Sequence, residues 1–159
     1  MSIQKTLIVA SVFFCLPCFA QDTQKNNNQA TYDSLLAKKL GADEYGMKTY
    51  VMAFLRSGPT RIQDSVQRAQ LQLAHLKNIQ RLAAEKKLII AGPFLDNQSI
   101  RGIFVFDVNS VEEAERLTAT DPAVKAGTLS VELHPWYGSA ALMETVRIHK
   151  AIEKNNVAD

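Results

Sequence analysis

His75 stands among apolar residues in the run Ala74-His75-Leu76-Lys77-Asn78-Ile79. Three short stretches follow it: Ala91-Gly92-Pro93-Phe94, Asp121-Pro122-Ala123-Val124-Lys125-Ala126-Gly127 and His134-Pro135-Trp136. An imidazole side chain titrates near neutrality, so it can both take and give a proton there. A carboxylate holding one ring nitrogen fixes the tautomer and stabilises the imidazolium. A titratable imidazole in an apolar stripe, with the Asp121-Pro122 turn later in a compact domain, therefore suggests a small-molecule acid–base site. A purely structural reading stands beside it. His75 can be a core histidine bonded to a carbonyl, and Asp121-Pro122 is a good helix start, with aspartate as N-cap and proline in the first position. Capping a helix and orienting a histidine do not exclude one another.

Four more residues are candidates for lining a ligand. By strand alternation His134 shares a face with Ser130 and Glu132, opposite Leu129, Val131 and Leu133, which turns it toward a cleft. Trp136 walls a pocket or closes the end of the fold. Gly92-Pro93 ends a strand or lets a ligand approach the backbone. His75, His134 and His149 are dispersed, and His149 with Glu153, four apart on a helix, is too little for a zinc site. No metal is expected. Phosphate-loop, dinucleotide and GxSxG signatures are missing from the sequence, so no cofactor is expected either.

The elements that must position these residues follow from hydrophobic period. Tyr32, Leu35, Leu36, Lys39 and Leu40 recur at helical spacing before Gly41, which predicts a short N-terminal helix. Lys48 to Arg56 is β-branched and aromatic and reads as a strand, broken by Ser57-Gly58-Pro59-Thr60. Asp64 with Gln67 caps a helix running to about Lys87, and Leu71, Leu82, His75, Ile79, Ala83 and Leu76 share one arc of it. Leu88 to Ala91 is a strand ending at Gly92-Pro93. The turn Asp96-Asn97-Gln98-Ser99 leads into a strand from Arg101 to Val108. Ser110 and Glu113 form a capping box for a helix that turns Val111, Ala114 and Leu117 inward. Leu129 to His134 alternates as a half-buried strand. From Ser139 a last helix sets Leu142, Thr145, Val146, Ile148 and Ile152 on one broad arc.

The order β-α-β-β-α-β is the ferredoxin-like split arrangement, an α+β fold whose two main helices cover one face of an antiparallel sheet. In the first strand Tyr50, Met52 and Phe54 face one way and Val51, Ala53 and Leu55 the other. In the third, Ile103 and Val105 oppose Phe104 and Phe106. Both faces are apolar, so the face without helices needs a partner, and a second copy of the chain is the simplest source.

The start of the chain reads as an export signal. Lys5 is followed by an apolar run from Leu7 to Leu16, then Pro17-Cys18-Phe19-Ala20, with small residues placed for a cut after Ala20. The run is too short to span a bilayer. Both cysteines, Cys15 and Cys18, lie in this leader, without the lead-in that lipidation wants, so the mature chain is expected to carry no disulfide and no membrane anchor. Removing 20 of 159 residues leaves 139, about one domain, and with Lys5 gone the net charge falls from +2 to +1. Charges of both signs are interleaved, so nucleic acid is not expected as a partner. The expected location is periplasmic or secreted.

The strand YVMAFL, the helix with AHLKNIQRLAAEKKL, then AGPF, GIFVFDV, the capped helix, DPAVKAG and VELHPW together resemble the YciI-like (YCII-related) family. The order and spacing of these segments carry the resemblance. It implies a dimeric α/β barrel in which two sheets pack face to face, and an active site of one histidine and one aspartate, at His75 and Asp121 here. It reaches muconolactone isomerase-like proteins and a dechlorinating enzyme of chlorinated hydroquinone breakdown. The implied organisation is a signal peptide over 1–20, a disordered linker over 21–30, an N-terminal helix over 31–47, the YciI-like domain over 48–137 and a C-terminal helix over 138–159. The WYGSAALM segment looks like an addition of an exported subgroup. The function implied is an isomerase- or lyase-like step on a small cyclic or aromatic molecule. The alternative is a non-catalytic homodimer that binds a small molecule in the same cleft.

Overall fold

A computed structural model describes residues 31–158. The expected leader, its cysteines and the linker lie outside the described residues. The chain divides into two units, Met1–Tyr32 and Asp33–Asp159. Thr31 and Tyr32, the described end of the first, carry neither helix nor strand. The second unit, Asp33–Asp159, carries the helices and strands.

That unit runs α1 (Ser34–Leu40), β1 (Met47–Ser57), α2 (Ser65–Ala84), β2 (Leu88–Pro93), β3 (Ile100–Phe106), α3 (Val111–Thr118), α4 (Pro122–Lys125), β4 (Leu129–Ser139), a 3-10 turn (Ala140–Glu144) and α5 (Thr145–Ile152). The strands form one antiparallel sheet in the order β2-β3-β1-β4. This is the expected α+β, ferredoxin-like architecture. Val51, Ala53 and Leu55 of β1 join Phe104 and Phe106 of β3, Leu82 of α2 and Ala114 of α3 in the main core. Both helices thus cover the sheet face those strand residues share.

Sequence signals placed most element ends. Asp33 accepts from the backbone N–H of Leu35 and Leu36, and Gly41 closes α1 at φ 69°. Asp64 Oδ1 accepts from Gln67 N at 2.7 Å. The capping box at α3 is only half made. Ser110 Oγ accepts from Glu113 N, but the Glu113 carboxylate takes Asn109 N–H and Lys87 Nζ instead of reaching back to Ser110. The α2 helix stops at Ala84 rather than near Lys87. Lys86 turns to φ 58° and donates to Ala83 O, and Lys87 N donates to Leu82 O, which is the hydrogen-bond pattern that ends a helix through a left-handed residue.

Three expectations are corrected. The strand β2 does end at Pro93, but it takes in Gly92 and Pro93 instead of stopping at Ala91, with Pro93 paired opposite Gly102; β2 is an edge strand, where a missing N–H is tolerated. β4 runs on past His134 to Ser139, because Trp136, Tyr137 and Gly138 continue the ladder with β1. The final segment is not one amphipathic helix. A 3-10 turn precedes α5, α5 buries no residue, and Ile152 is 74% exposed.

The second sheet face is covered in part by this chain itself. Leu142, Met143 and Trp136 pack on Tyr50, Ile89 and Val105. Tyr50 is fully buried and donates its hydroxyl to Ser139 O at 3.0 Å; burial first, then the nearby Asp107 charge, push its pKa up. Met52, Phe54 and Ile103 of the same face stay half-buried.

Candidate functional site

The helix α2 turns three buried residues inward, His75, Asn78 and Leu82, spaced three and four apart as one helix face requires. Leu82 joins the main core. His75 lies over the sheet, its ring stacked on Phe104 of β3 with centroids 6.1 Å apart and planes at 22°.

Asp121 arrives from the short turn between α3 and α4. It is the N-cap of α4 with extended backbone, and Pro122 follows in the first turn. Its Oδ1 accepts from the Ala123 N–H at 2.8 Å, and its Oδ2 lies 2.7 Å from His75 Nδ1. Asp121 is fully buried and His75 is 8% exposed. One carboxylate therefore both caps a helix and holds an imidazole, so the two roles weighed from sequence occur together. With a carboxylate acceptor on Nδ1, that nitrogen carries the proton and Nε2 is left with its lone pair. Nε2 has no protein hydrogen-bond partner among the described residues, and the His75 side chain keeps 11% of its surface exposed. The arrangement can pass a proton at Nε2 while Asp121 balances the cation.

The other expected ligand-lining residues divide between the two sheet faces. Pro93 pairs with Gly102, in line with Phe104, and shares His75's face. Gly92 pairs with Ile103 on the opposite face, and a Cβ there would meet no atom within 4 Å. His134 and Trp136 are also on that opposite face, paired with Met52 and Tyr50. Within one chain, Gly92, His134 and Trp136 thus do not line a single cleft with His75. Alternation assigned His134 to the face away from the aliphatic residues, but that is the face away from the helices as well. There His134 Nε2 bonds Glu132 at 2.9 Å, and Glu132 also receives Arg56. Arg56 first, then His134, hold the Glu132 carboxyl below its usual range. Trp136 tilts against Tyr50, 5.8 Å between centroids.

Sequence reading missed Asn78, Arg81 and Thr120. Arg81 Nη2 donates to Asn78 Oδ1 and Thr120 Oγ1, both at 2.9 Å, tying α2 to the turn that carries Asp121. The signal was present: Asn78 is a polar residue three positions from His75, at the margin of the apolar arc. A groove of about 420 Å³ runs between α3, α4 and β4, lined by Val111, Thr118, Val124, Val131 and Leu133 among others; neither His75 nor Asp121 lines it. Among the described residues no three His, Cys, Asp or Glu side chains are grouped to hold a metal ion, and no helix is long and apolar enough to cross a membrane.

Three comparisons bear on kinship. The chain is 21% identical to the 5-chloro-2-hydroxyhydroquinone dehydrochlorinase TftG of Burkholderia phenoliruptrix, solved in complex with 2,5-dihydroxybenzoquinone. That match covers 54% of this chain and 92% of TftG at a TM-score of 0.42, too slight to carry an argument. The uncharacterized protein YjpA of Bacillus subtilis is 36% identical over 62 residues, 39% of this chain and 71% of YjpA. The model of the YCII-related domain matches residues 50–137, from the buried Tyr50 to near the end of β4, and so spans the sheet, His75 and Asp121. On that match the chain belongs to the YCII-related domain family.

Proposed function

We propose that this chain is an acid–base protein acting on a small cyclic or aromatic molecule, with His75 moving the proton and Asp121 orienting the ring. The observation that carries the reading is the buried 2.7 Å contact between His75 Nδ1 and Asp121 Oδ2, with Nε2 left unpartnered. A leucine would pack on Phe104 without needing a carboxylate, so the polar pair is retained at the expense of simpler packing. The reaction type is isomerisation or elimination, which needs only proton transfer and an electron-pair shift within the substrate. Because the substrate is unidentified, the test reads proton abstraction itself. In deuterated water the full chain should exchange the α C–H protons of a simple cyclic ketone such as cyclohexanone, which exchange slowly in buffer, faster than buffer alone, followed by proton NMR. His75→Asn should fold and return the rate to the buffer value. Equal rates for the two proteins would remove His75 from any catalytic role. His75's low exposure favours the second reading, a non-catalytic binder. In that case wild-type protein accelerates nothing, although ligands still protect the pair.

Two further features belong to the same reading. The chain acts as a homodimer closed through the half-buried Met52, Phe54 and Ile103 face, which brings the His134 and Glu132 of each copy toward the other sheet. It is exported and cut after Ala20, as the Lys5, Leu7-to-Leu16 and Pro17-to-Ala20 pattern suggests. Mass spectrometry of the protein from its native host should find Gln21 at the N-terminus. A species retaining Met1 as its only form would remove export, and a lipid on Cys15 or Cys18 would replace it with a membrane anchor.

A further inference from the structure

Asn78 is buried, and its Nδ2 is the one buried side-chain polar atom among the described residues without a hydrogen-bond partner. Which end of the amide is which follows from its neighbours. Arg81 Nη2 approaches Oδ1 at 2.9 Å, and an NH2 group in that place would set donor against donor. The Thr120 hydroxyl lies 3.1 Å from the same oxygen. The amide nitrogen is therefore turned away from Arg81 and Thr120.

His75 is held in a parallel way. It lies three residues before Asn78 on the same buried face of α2, a spacing that puts Cβ atoms about 5–6 Å apart. Thr120 meets Asn78 and Asp121 meets His75, so two consecutive residues of one turn engage one end of each side chain. The ends left unengaged are Nδ2, which can only donate, and Nε2, which can accept a proton. A buried donor without an acceptor is costly, and native proteins keep few of them unless a water or ligand completes the bond.

We propose that Asn78 is a ligand contact of the His75–Asp121 site, its Nδ2–H donating to the oxygen of an enolisable carbonyl compound or of its enol or phenol form. The inference rests on the acid–base reading above and narrows it to a substrate class. The substrate C–H next to the carbonyl breaks, and its proton passes to His75 Nε2. The freed pair forms the C=C bond, and the carbonyl π pair moves to oxygen, where Asn78 meets the developing charge. Return of the proton to another carbon gives an isomer; loss of a leaving group with its electron pair gives elimination. Asp121 orients the ring and balances the imidazolium charge. A preorganised donor aimed at a developing oxyanion acts where charge forms in the transition state.

The probe is 4-nitrocatechol, a vicinal enol whose ionisation changes its absorption. In a buffer below the probe's first ionisation, the full wild-type chain should bind it as the phenolate, with a saturable red shift. Asn78→Asp keeps the oxygen that Arg81 holds and loses the donor, so its affinity should fall tenfold or more, with circular dichroism unchanged. Asn78→Ala should lose a similar factor, and His75→Asn should lose the red shift. If both Asn78 variants bind as wild type while His75→Asn does not, a water fills the Nδ2 bond and the inference is overturned, with the acid–base reading intact. If no variant alters binding, both fall. Absence of a saturable shift with wild type overturns the substrate class and with it the role of Asn78.

Discussion

Asp121→Ala should cost the fold about 3 kcal/mol, while Asp121→Asn should cost about 1 kcal/mol and still reduce proton-transfer activity by roughly four orders of magnitude. The two variants separate the two oxygens of one carboxylate. Alanine removes the acceptor for the Ala123 N–H and the partner of His75 Nδ1 together. Loss of an N-cap costs about 1 kcal/mol, and an orphaned buried donor adds about 1–3 kcal/mol. Asparagine can keep its oxygen on Ala123 N–H, since it caps nearly as well. Its NH2 then faces His75 Nδ1, which must become the acceptor, and the proton moves to Nε2. The imidazole is still there, in the wrong tautomer to take a proton. Urea denaturation checks the stability arm and deuterium exchange into the cyclic ketone checks the other. A fold-neutral Asp121→Ala would show that the cap and the pair carry little energy. An active Asp121→Asn would show that the tautomer is not set by this residue.

Phe54→Asp should turn a dimer into a monomer. Phe54 is half-buried on the sheet face without helices, edge-on to His134 with centroids 5.8 Å apart. In a single chain an aspartate there remains partly hydrated, although it stands opposite Glu132 across β1 and β4, a like-charge pair of modest cost. Between two sheets the same carboxylate would be an unpaired buried charge, worth several kcal/mol against association. Light scattering at micromolar concentration should report twice the chain mass for wild type and one chain mass for the variant, with the same far-ultraviolet circular dichroism. Leu95→Asp, at a hairpin position 99% exposed, should leave the mass unchanged. A wild-type monomer would show that Leu142, Met143 and Trp136 already give this face all the cover it needs.

The sequence alone determined the order of elements and the faces of the central strands. The two-residue period of a strand says which residues from Tyr50 to Leu55 and from Ile103 to Phe106 share a side, and because both sides are apolar it leaves open which side the helices cover. Asp64, Ser110, Asp121 and Gly41 marked helix ends because a cap is a local contract between neighbouring residues, legible without the rest of the chain. Candidate pairing of His75 with Asp121 came from family likeness, for no local rule joins residues 46 apart. Only the tertiary structure decided that α2 and the α3–α4 turn meet with 2.7 Å between ring and carboxylate. It also decided which of two apolar faces carries the helices, and so placed His134 and Trp136 away from His75. The 3-10 turn over Tyr50 and Val105 was likewise a matter of packing, since Leu142 fits a helical arc as well as the turn it helps form. Period and capping act between neighbours in the chain, whereas a site is made by residues far apart in it, whose meeting depends on how every intervening element packs.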